Sequence, residues 1–281
     1  MMLVASNPSE VRRIAGKRNR KVRLPAIRPS RRVATGIRRK IESYMRMMTA
    51  SVESKVVPTM DIRQVANTLE YEKRFWDGVF ENAAMPMARE MSTGQNDAVK
   101  AAIIAFLLLR FKKEQLSISI FDEREVMEAM EVTSLETASL IRTIPSLYIG
   151  KVANAVFRDF KGEEFPEKRT LAEEIKHIGN VSTKRAEFIA TDQIAKMNSM
   201  FVERQSKALG SESYVWKARM DLRTVGNPVG LYPKGNAMHN DHYHRDGEVF
   251  SWDNPPPDGH PGRPINCRCE AMPLIDISKI F

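Results

Sequence analysis

At Gly210 the spacing of apolar residues changes from a helical period to a strand period, which divides the chain into a helical part and a β-containing part. Before that point Ile37, Ile41, Tyr44, Met45 and Met48 recur at i, i+3, i+4 spacing and predict a helix over 35–57, stopped by Pro58. Val65, Leu69, Trp76, Val79, Phe80 and Ala83 predict a second helix from Asp61. Met85 to Met91 and the Ser-Thr-Gly after it read as a connection, followed by a third helix over 97–116. Ser117 to Phe121 suits either a short strand or a helix end, and amphipathic helix resumes to Lys161. Ser182 or Asn180 is the expected cap of a last helix lined by Ala186, Ile189, Ala190, Ile194, Met197 and Phe201, with Gly210 as its stop.

Beyond Gly210, Tyr214, Trp216, Ala218 and Met220 alternate with Val215, Lys217, Arg219 and Asp221, as in a half-buried strand. Asp246-Gly247 is a hairpin signal ahead of a second strand with Val249, Phe250 and Trp252. Asn254 to Gly259, with three consecutive prolines, is an irregular loop. In a third strand over 267–272, Cys267, Cys269 and Ala271 share one side, and Arg268 and Glu270 the other. The expected fold class is α+β: a mostly helical N-terminal and middle region and a small, irregular, β-rich C-terminal module with a Cys/His cluster. Residues 1–34 read as an unstructured basic arm, 35–178 as the helical region and 179–281 as the C-terminal module.

Charge is unevenly placed. The formal net charge is +9, yet residues 1–40 hold 13 Lys or Arg against one acid, Glu10. They carry +12, so the remainder carries −3, the difference between +9 and +12. A mildly acidic body with a basic arm suits an anionic partner, either nucleic acid or an acidic protein surface. The candidate contacts are Arg12, Arg13, Lys17, Arg18, Arg20, Lys21, Arg23, Arg28, Arg31, Arg32, Arg38, Arg39 and Lys40. The arm lacks aromatic residues, so contact with double-stranded DNA is expected to be sequence-independent and not to involve base stacking. The longest apolar run, Ala101 to Leu109, is far short of the roughly 20 residues of a membrane span, and no signal-peptide core is present at the N-terminus.

Four of the five histidines, His239, His242, His244 and His260, lie close together, and the two cysteines, Cys267 and Cys269, follow directly. Two cysteines separated by one residue are no secreted disulfide framework, which points to folding in a reducing compartment. Thiolate and imidazole are the preferred ligands of tetrahedral zinc. His242, His260, Cys267 and Cys269 are the candidate ligands of a structural zinc ion. The other reading stays open, with small buried cysteines and polar loop histidines. The run His-Asn-Asp-His-x-His is also similar to histidine clusters of metal-dependent nucleases, but no further carboxylate completes such a pattern.

The order of these elements resembles the phage Mu F / SPP1 gene-7-type head morphogenesis family. The helix carries Arg185-Ala186-Glu187-Phe188-Ile189-Ala190-Thr191, and the strand carries Trp216 with Asp221-Leu222-Arg223. His242 precedes Asp246-Gly247, and the Pro-rich loop with His260-Pro261-Gly262 leads into Asn266-Cys267-Arg268-Cys269 and Pro273. The resemblance spans about 145–275 and is dense from Tyr214 onward. The segment from Gly226 to Asn240 is longer than usual for the family, and His239 and His244 stand outside its motif. The resemblance implies a minor capsid protein of a tailed-phage head, near the portal vertex, assembled in the host cytoplasm and retained in the virion. It implies contacts with the portal protein and the major capsid protein, a part in DNA packaging or ejection, and no enzymatic activity. A metal-dependent nuclease acting on phage DNA is the alternative.

Overall fold

A computed structural model of the chain describes residues 21–59, 61–111, 124–235 and 241–276. Strand β1 (Lys21–Arg23) is followed by helices α1 (Arg31–Val56), α2 (Ile62–Phe111), α3 (Arg124–Phe160) and α4 (Leu171–Ala208). Strands β2 (Ser213–Lys217), β3 (Val249–Ser251) and β4 (Glu270–Asp276) complete the order. The fold is α+β, as the two apolar periods require. Among the described residues no helix is long and apolar enough to cross a membrane.

Two compact units divide the chain, and each of α2, α3 and α4 contributes one part to each. The described part of the first comprises residues 31–59, 61–91 and 133–191 and is helical apart from its connections. On α1, Ile37, Ile41, Met45, Met48, Val52 and Val56 form the buried stripe. Trp76 and Phe80 of α2 and Ile144 and Tyr148 of α3 are buried with it. Burial removes the Tyr148 hydroxyl from water and pushes its pKa up to about 12.

Glu72 is fully buried in this apolar unit and is satisfied on every side. Ser51 Oγ donates to it at 2.8 Å and Trp76 Nε1 at 3.0 Å, and Lys55 Nζ pairs with it. Burial opposes its ionisation, but the hydrogen bonds from Lys55, Ser51 and Trp76 outweigh burial and hold the carboxyl below its ordinary range. A depressed pKa contributes stability that is complete above the unfolded value and is lost as pH falls through the folded one. Glu72→Ala leaves Ser51 and the Trp76 indole without an acceptor, and is expected to cost about 1–3 kcal/mol at neutral pH. Thermal melts of both proteins across the acidic range check this: the difference should shrink as the pH drops.

The helix boundaries differ from the sequence reading in two places. Residues 85–94 do not connect two helices, because α2 runs unbroken through Pro86. Ala84, Met87, Ala88 and Met91 are buried there, and this burial outweighs the roughly 3 kcal/mol that an internal proline costs. The last helix is not capped at Asn180 or Ser182. It starts eleven residues before Ser182, at Leu171, where Thr170 and Glu173 form a reciprocal capping box. Thr170 N–H donates to Glu173 Oε2 at 2.8 Å, and Glu173 N–H to Thr170 Oγ1 at 3.3 Å. A boundary at 178/179 therefore falls inside α4; the compact units divide at 191/192 instead.

The described part of the second unit comprises residues 21–30, 92–111, 124–132, 192–235 and 241–276. Its antiparallel sheet has the order β1-β4-β2-β3. β2 is buried along Tyr214, Val215 and Trp216. It pairs with β4 from Ser213↔Leu274 to Lys217↔Glu270, and with β3 from Ser213↔Ser251 to Val215↔Val249. Asp246-Gly247 does not close a two-residue hairpin, since the strand ahead of β3 in the sheet is β2, a long loop away. It is a turn in which Gly247 takes φ 87° and donates N–H to Trp216 O at 2.9 Å. The Asp246 carboxylate accepts from Ala218 N–H at 2.8 Å.

Residues 21–34 correct the reading of an unstructured arm. β1 pairs with β4 from Lys21↔Asp276 to Arg23↔Leu274. Leu24 and Ile27 are buried, and a polar ladder fixes the segment behind them. Leu24 N–H donates to Pro273 O at 2.8 Å. Asn198 Nδ2 donates to Ile27 O at 2.8 Å, Gln95 Nε2 to Asn198 Oδ1 at 2.7 Å, and Ser30 N–H to Gln95 Oε1 at 2.9 Å. Leu24 and Ile27 are three residues apart in a stretch interrupted by Pro25, a spacing too short and irregular to register as a strand or helix period. Of the candidate basic contacts, Arg12, Arg13, Lys17, Arg18 and Arg20 lie outside the described residues. Lys21, Arg23, Arg31, Arg32 and Arg39 are exposed. Arg28 pairs with Glu270 at 3.3 Å, Arg38 with Glu42 at 3.3 Å, and Lys40 with Glu90.

Candidate metal centre

Three segments of the second unit converge on one buried point. Trp216 comes from β2, His242 from the turn ahead of β3, and Cys267 and Cys269 from the extended segment that enters β4. Cys267, Cys269, Ala271, Pro273 and Ile275 are buried while the residues between them are more exposed, so both sulfurs face inward as their spacing predicts. His242 Nδ1 lies 3.5 Å from Cys267 Sγ and 3.7 Å from Cys269 Sγ. The three donor atoms lie within 4.8 Å of one another, and all three residues are buried.

The turn before the cysteines is held by tight backbone contacts. Gly262 has φ 86°, and a Cβ there would meet Ala195 O and Ser199 Cβ at 3.3 Å. Its N–H donates to Cys267 Sγ at 3.4 Å. Asn266, at φ 59°, donates its N–H to the α4 carboxylate of Asp192 at 2.7 Å. The arginine between the cysteines points outward and grips Asp221, with NH1 at 2.7 Å from one oxygen and NH2 donating to the other at 2.8 Å.

The electrostatics favour a single negative charge on the sulfur pair. A hydrogen bond from Cys269, opposed by burial and aided by His242, holds the Cys267 thiol well below its ordinary range. The Cys267 thiolate beside it, together with burial, pushes the Cys269 thiol up. Burial favours neutral His242, but Cys267 and Asp258 outweigh it and raise its pKa. The three groups thus differ in their hold on a proton: Cys267 loses its own readily, while Cys269 and His242 retain theirs more strongly than usual. A divalent soft cation displaces those protons and takes over their charge balance.

The geometry fits such an ion. Zinc bonds of about 2.3 Å to sulfur and 2.0–2.1 Å to nitrogen set neighbouring donors of a tetrahedron roughly 3.6 Å apart. The observed 3.5 and 3.7 Å already match that spacing. The cluster could hold a metal ion, with His242, Cys267 and Cys269 as three ligands.

His260 does not join them, which corrects the four-ligand expectation. Its ring is held elsewhere, with Nδ1 3.1 Å from the Tyr214 hydroxyl and the ring packed on Trp252 at 5.4 Å. Its Nε2 faces Glu203 at 3.8 Å, and Arg263 donates to the same carboxylate at 2.9 Å. Burial, opposed by Glu203 and aided by Arg263 and Lys207, lowers the His260 pKa. His244 is exposed and lies 2.5 Å from Asp241, and His239 lies outside the described residues. Histidine count alone could not separate these roles, because all four candidates share one stretch of sequence. Sequence reasoning also missed Asp258 and Arg245. Asp258 sits in a run that reads only as a Pro-rich loop, and no local spacing links it to His242.

No family model matches the chain, and no solved structure matches it. Over 278 aligned residues the chain is 27% identical to a protein of Haemophilus influenzae whose name is "Uncharacterized protein", an alignment that covers 92% of this chain and 58% of that one. The chain thus spans less than two thirds of that relative's length.

Proposed function

We propose that this chain is a minor head protein of a tailed phage, with a C-terminal module fixed by a structural zinc ion and a basic N-terminal segment that contacts DNA. The observation that carries the reading is the convergence of the motif residues. Cys267 and Cys269 meet His242. Arg268 between them binds Asp221, and Asp192 of the preceding helix holds Asn266. Asp246 of the Asp-Gly turn binds the end of β2. Residues that are scattered between Asp192 and Cys269 serve one small scaffold, which supports reading them as one module.

Zinc is the favoured metal because two sulfurs and one imidazole nitrogen are soft donors, whereas magnesium and calcium take oxygen. Its part is structural: it ties the turn ahead of β3 to the entry of β4. A tetrahedral ion takes one ligand more than these three. The exposed Lys21, Arg23, Arg31, Arg32 and Arg39 supply sequence-independent phosphate contacts. The portal protein and major capsid protein are the expected protein partners, and the virion head the expected location.

Quantitative mass spectrometry of purified particles, scaled to the portal protein, tests the reading. A few to a few dozen copies per particle are expected. Absence from DNA-filled particles would overturn it and direct attention to the nuclease alternative, which cleavage of DNA with added zinc or magnesium would then decide.

A further inference from the structure

Asp258 is a buried carboxylate in the Pro-rich loop, with a side chain only 6% exposed. Each of its oxygens has a distinct partner. Oδ2 lies 2.9 Å from His242 Nε2, and Oδ1 accepts from Arg245 NH1 at 2.7 Å. The Arg245 guanidinium lies over the Trp216 ring at 5.1 Å, and that ring meets the His242 imidazole edge-on at 5.1 Å. The contacts close into a ring of four residues, Asp258, His242, Trp216 and Arg245, around the far side of the imidazole. Pro255, Pro256 and Pro257 fix φ immediately before Asp258, so the carboxylate is presented by a stiff segment.

We propose that Asp258 is a positioning residue for the metal: it keeps a proton on His242 Nε2 and so turns the Nδ1 lone pair toward Cys267 and Cys269. This rests on the metal reading above. A ligating imidazole must offer an unprotonated nitrogen, and a carboxylate on the opposite nitrogen fixes both the tautomer and the plane of the ring while making the ligand more basic. Nδ1 is the nitrogen that faces both sulfurs, and Nε2 is the one that Asp258 holds. A carboxylate that only neutralised Arg245 would have no need of His242, and its loss would lower stability without changing metal affinity.

The test uses the full chain stripped of metal. Zinc affinity is measured by competition with a chromophoric chelator, and cobalt(II) spectra report the ligand set, for wild type, Asp258→Asn and Asp258→Glu. Asp258→Asn is expected to bind zinc about 10–100-fold more weakly, with Asp258→Glu recovering part of the loss. Nitrogen-15 spectra of zinc-loaded wild type are expected to show His242 protonated at Nε2 and ligated through Nδ1, a readout that does not depend on any variant folding. Affinity of folded Asp258→Asn within about twofold of wild type would overturn the assignment, as would a proton on Nδ1 in the loaded protein. If wild type binds zinc while Asp258→Asn is unchanged, only the role of Asp258 falls. If wild type takes up neither zinc nor cobalt, the metal reading falls and the assignment with it.

Discussion

Replacing Cys267 and Cys269 together by serine is expected to unfold the sheet unit while leaving the helical unit folded. Zinc binding by small structural sites releases about 10–16 kcal/mol near neutral pH, and that energy is folding energy where the site forms only in the native state. Serine keeps the size of the side chain but is a poor zinc ligand, so most of this contribution goes. The metal-free unit also suffers, because the substitution takes from buried His242 the two sulfurs that face its Nδ1. Tyr214, Trp216 and Trp252 form a compact aromatic core, with ring centroids of Tyr214 and Trp252 4.3 Å apart, but the connections around it are long. Hydrogen exchange is the suitable measurement. Protection should vanish across β2, β4 and residues 218–235 and 241–248 and persist along α1. Equal protection of β2 in the double mutant and in wild type would sink the idea that this cluster staples the unit. Treating wild type with a strong chelator should reproduce the mutant pattern, and restored zinc should reverse it.

The second large effect concerns the basic segment. Deleting residues 1–30 is expected to destabilise the sheet unit severely, although a freely hanging arm would be dispensable. The deletion removes the buried side chains of Leu24 and Ile27, and loss of such aliphatic residues costs about 2–5 kcal/mol each. It also takes away the acceptor of Asn198 Nδ2 and the donor to Gln95 Oε1, at about 0.5–1.5 kcal/mol for each hydrogen bond lost. The edge of β4 loses its partner and becomes a template for aggregation. Soluble yield and melting temperature of the truncated chain would show this; a truncated protein as stable as wild type would refute it. The matching control is substitution of the exposed Lys21, Arg23, Arg31, Arg32 and Arg39 by glutamine. Stability should stay within about 0.5 kcal/mol, as for ordinary surface changes. DNA affinity should fall, and the slope of log affinity against log salt should flatten by about 0.9 for each phosphate no longer neutralised. Unchanged DNA binding would place these residues against a protein surface instead.

Much of this was legible in the sequence where the signal is local. The α1 stripe from Ile37 to Val56 is a clean helical period, and the alternation of Cys267, Cys269 and Ala271 with Arg268 and Glu270 is a strand period, although the strand runs over Glu270–Asp276 and not over 267–272. Gly210 does end its helix, taking φ 78°. Local signals failed where two of them competed. Pro86 reads as a break, yet the buried methionines and alanines around it carry the helix through. Thr170 and Glu173 form a capping box, but Asn180 and Ser182 lie nearer the apolar run and drew the boundary forward. The site was half legible for a related reason. The two cysteines and His242 share a recognisable chemistry, so their types alone suggest a metal. What distinguishes His242 from His260 is the company each keeps across the fold, Asp258 in one case and Tyr214 with Glu203 in the other. Those partners are separated from the histidines by 16 and by 46 or more residues, and no periodicity reports them.

The place of β4 between β1 and β2 has a consequence for synthesis. Lys21 leaves the ribosome long before Asp276, its partner in the sheet. At about 5–20 residues per second, the first strand waits roughly 13–50 seconds for the strand that completes it. Throughout that interval Leu24 and Ile27 have no sheet to cover them, and the cationic residues around them are held by nothing but the nascent chain. The unit that contains the cysteines therefore cannot complete its sheet until translation has passed β4, and that pairing joins the two ends of the described chain.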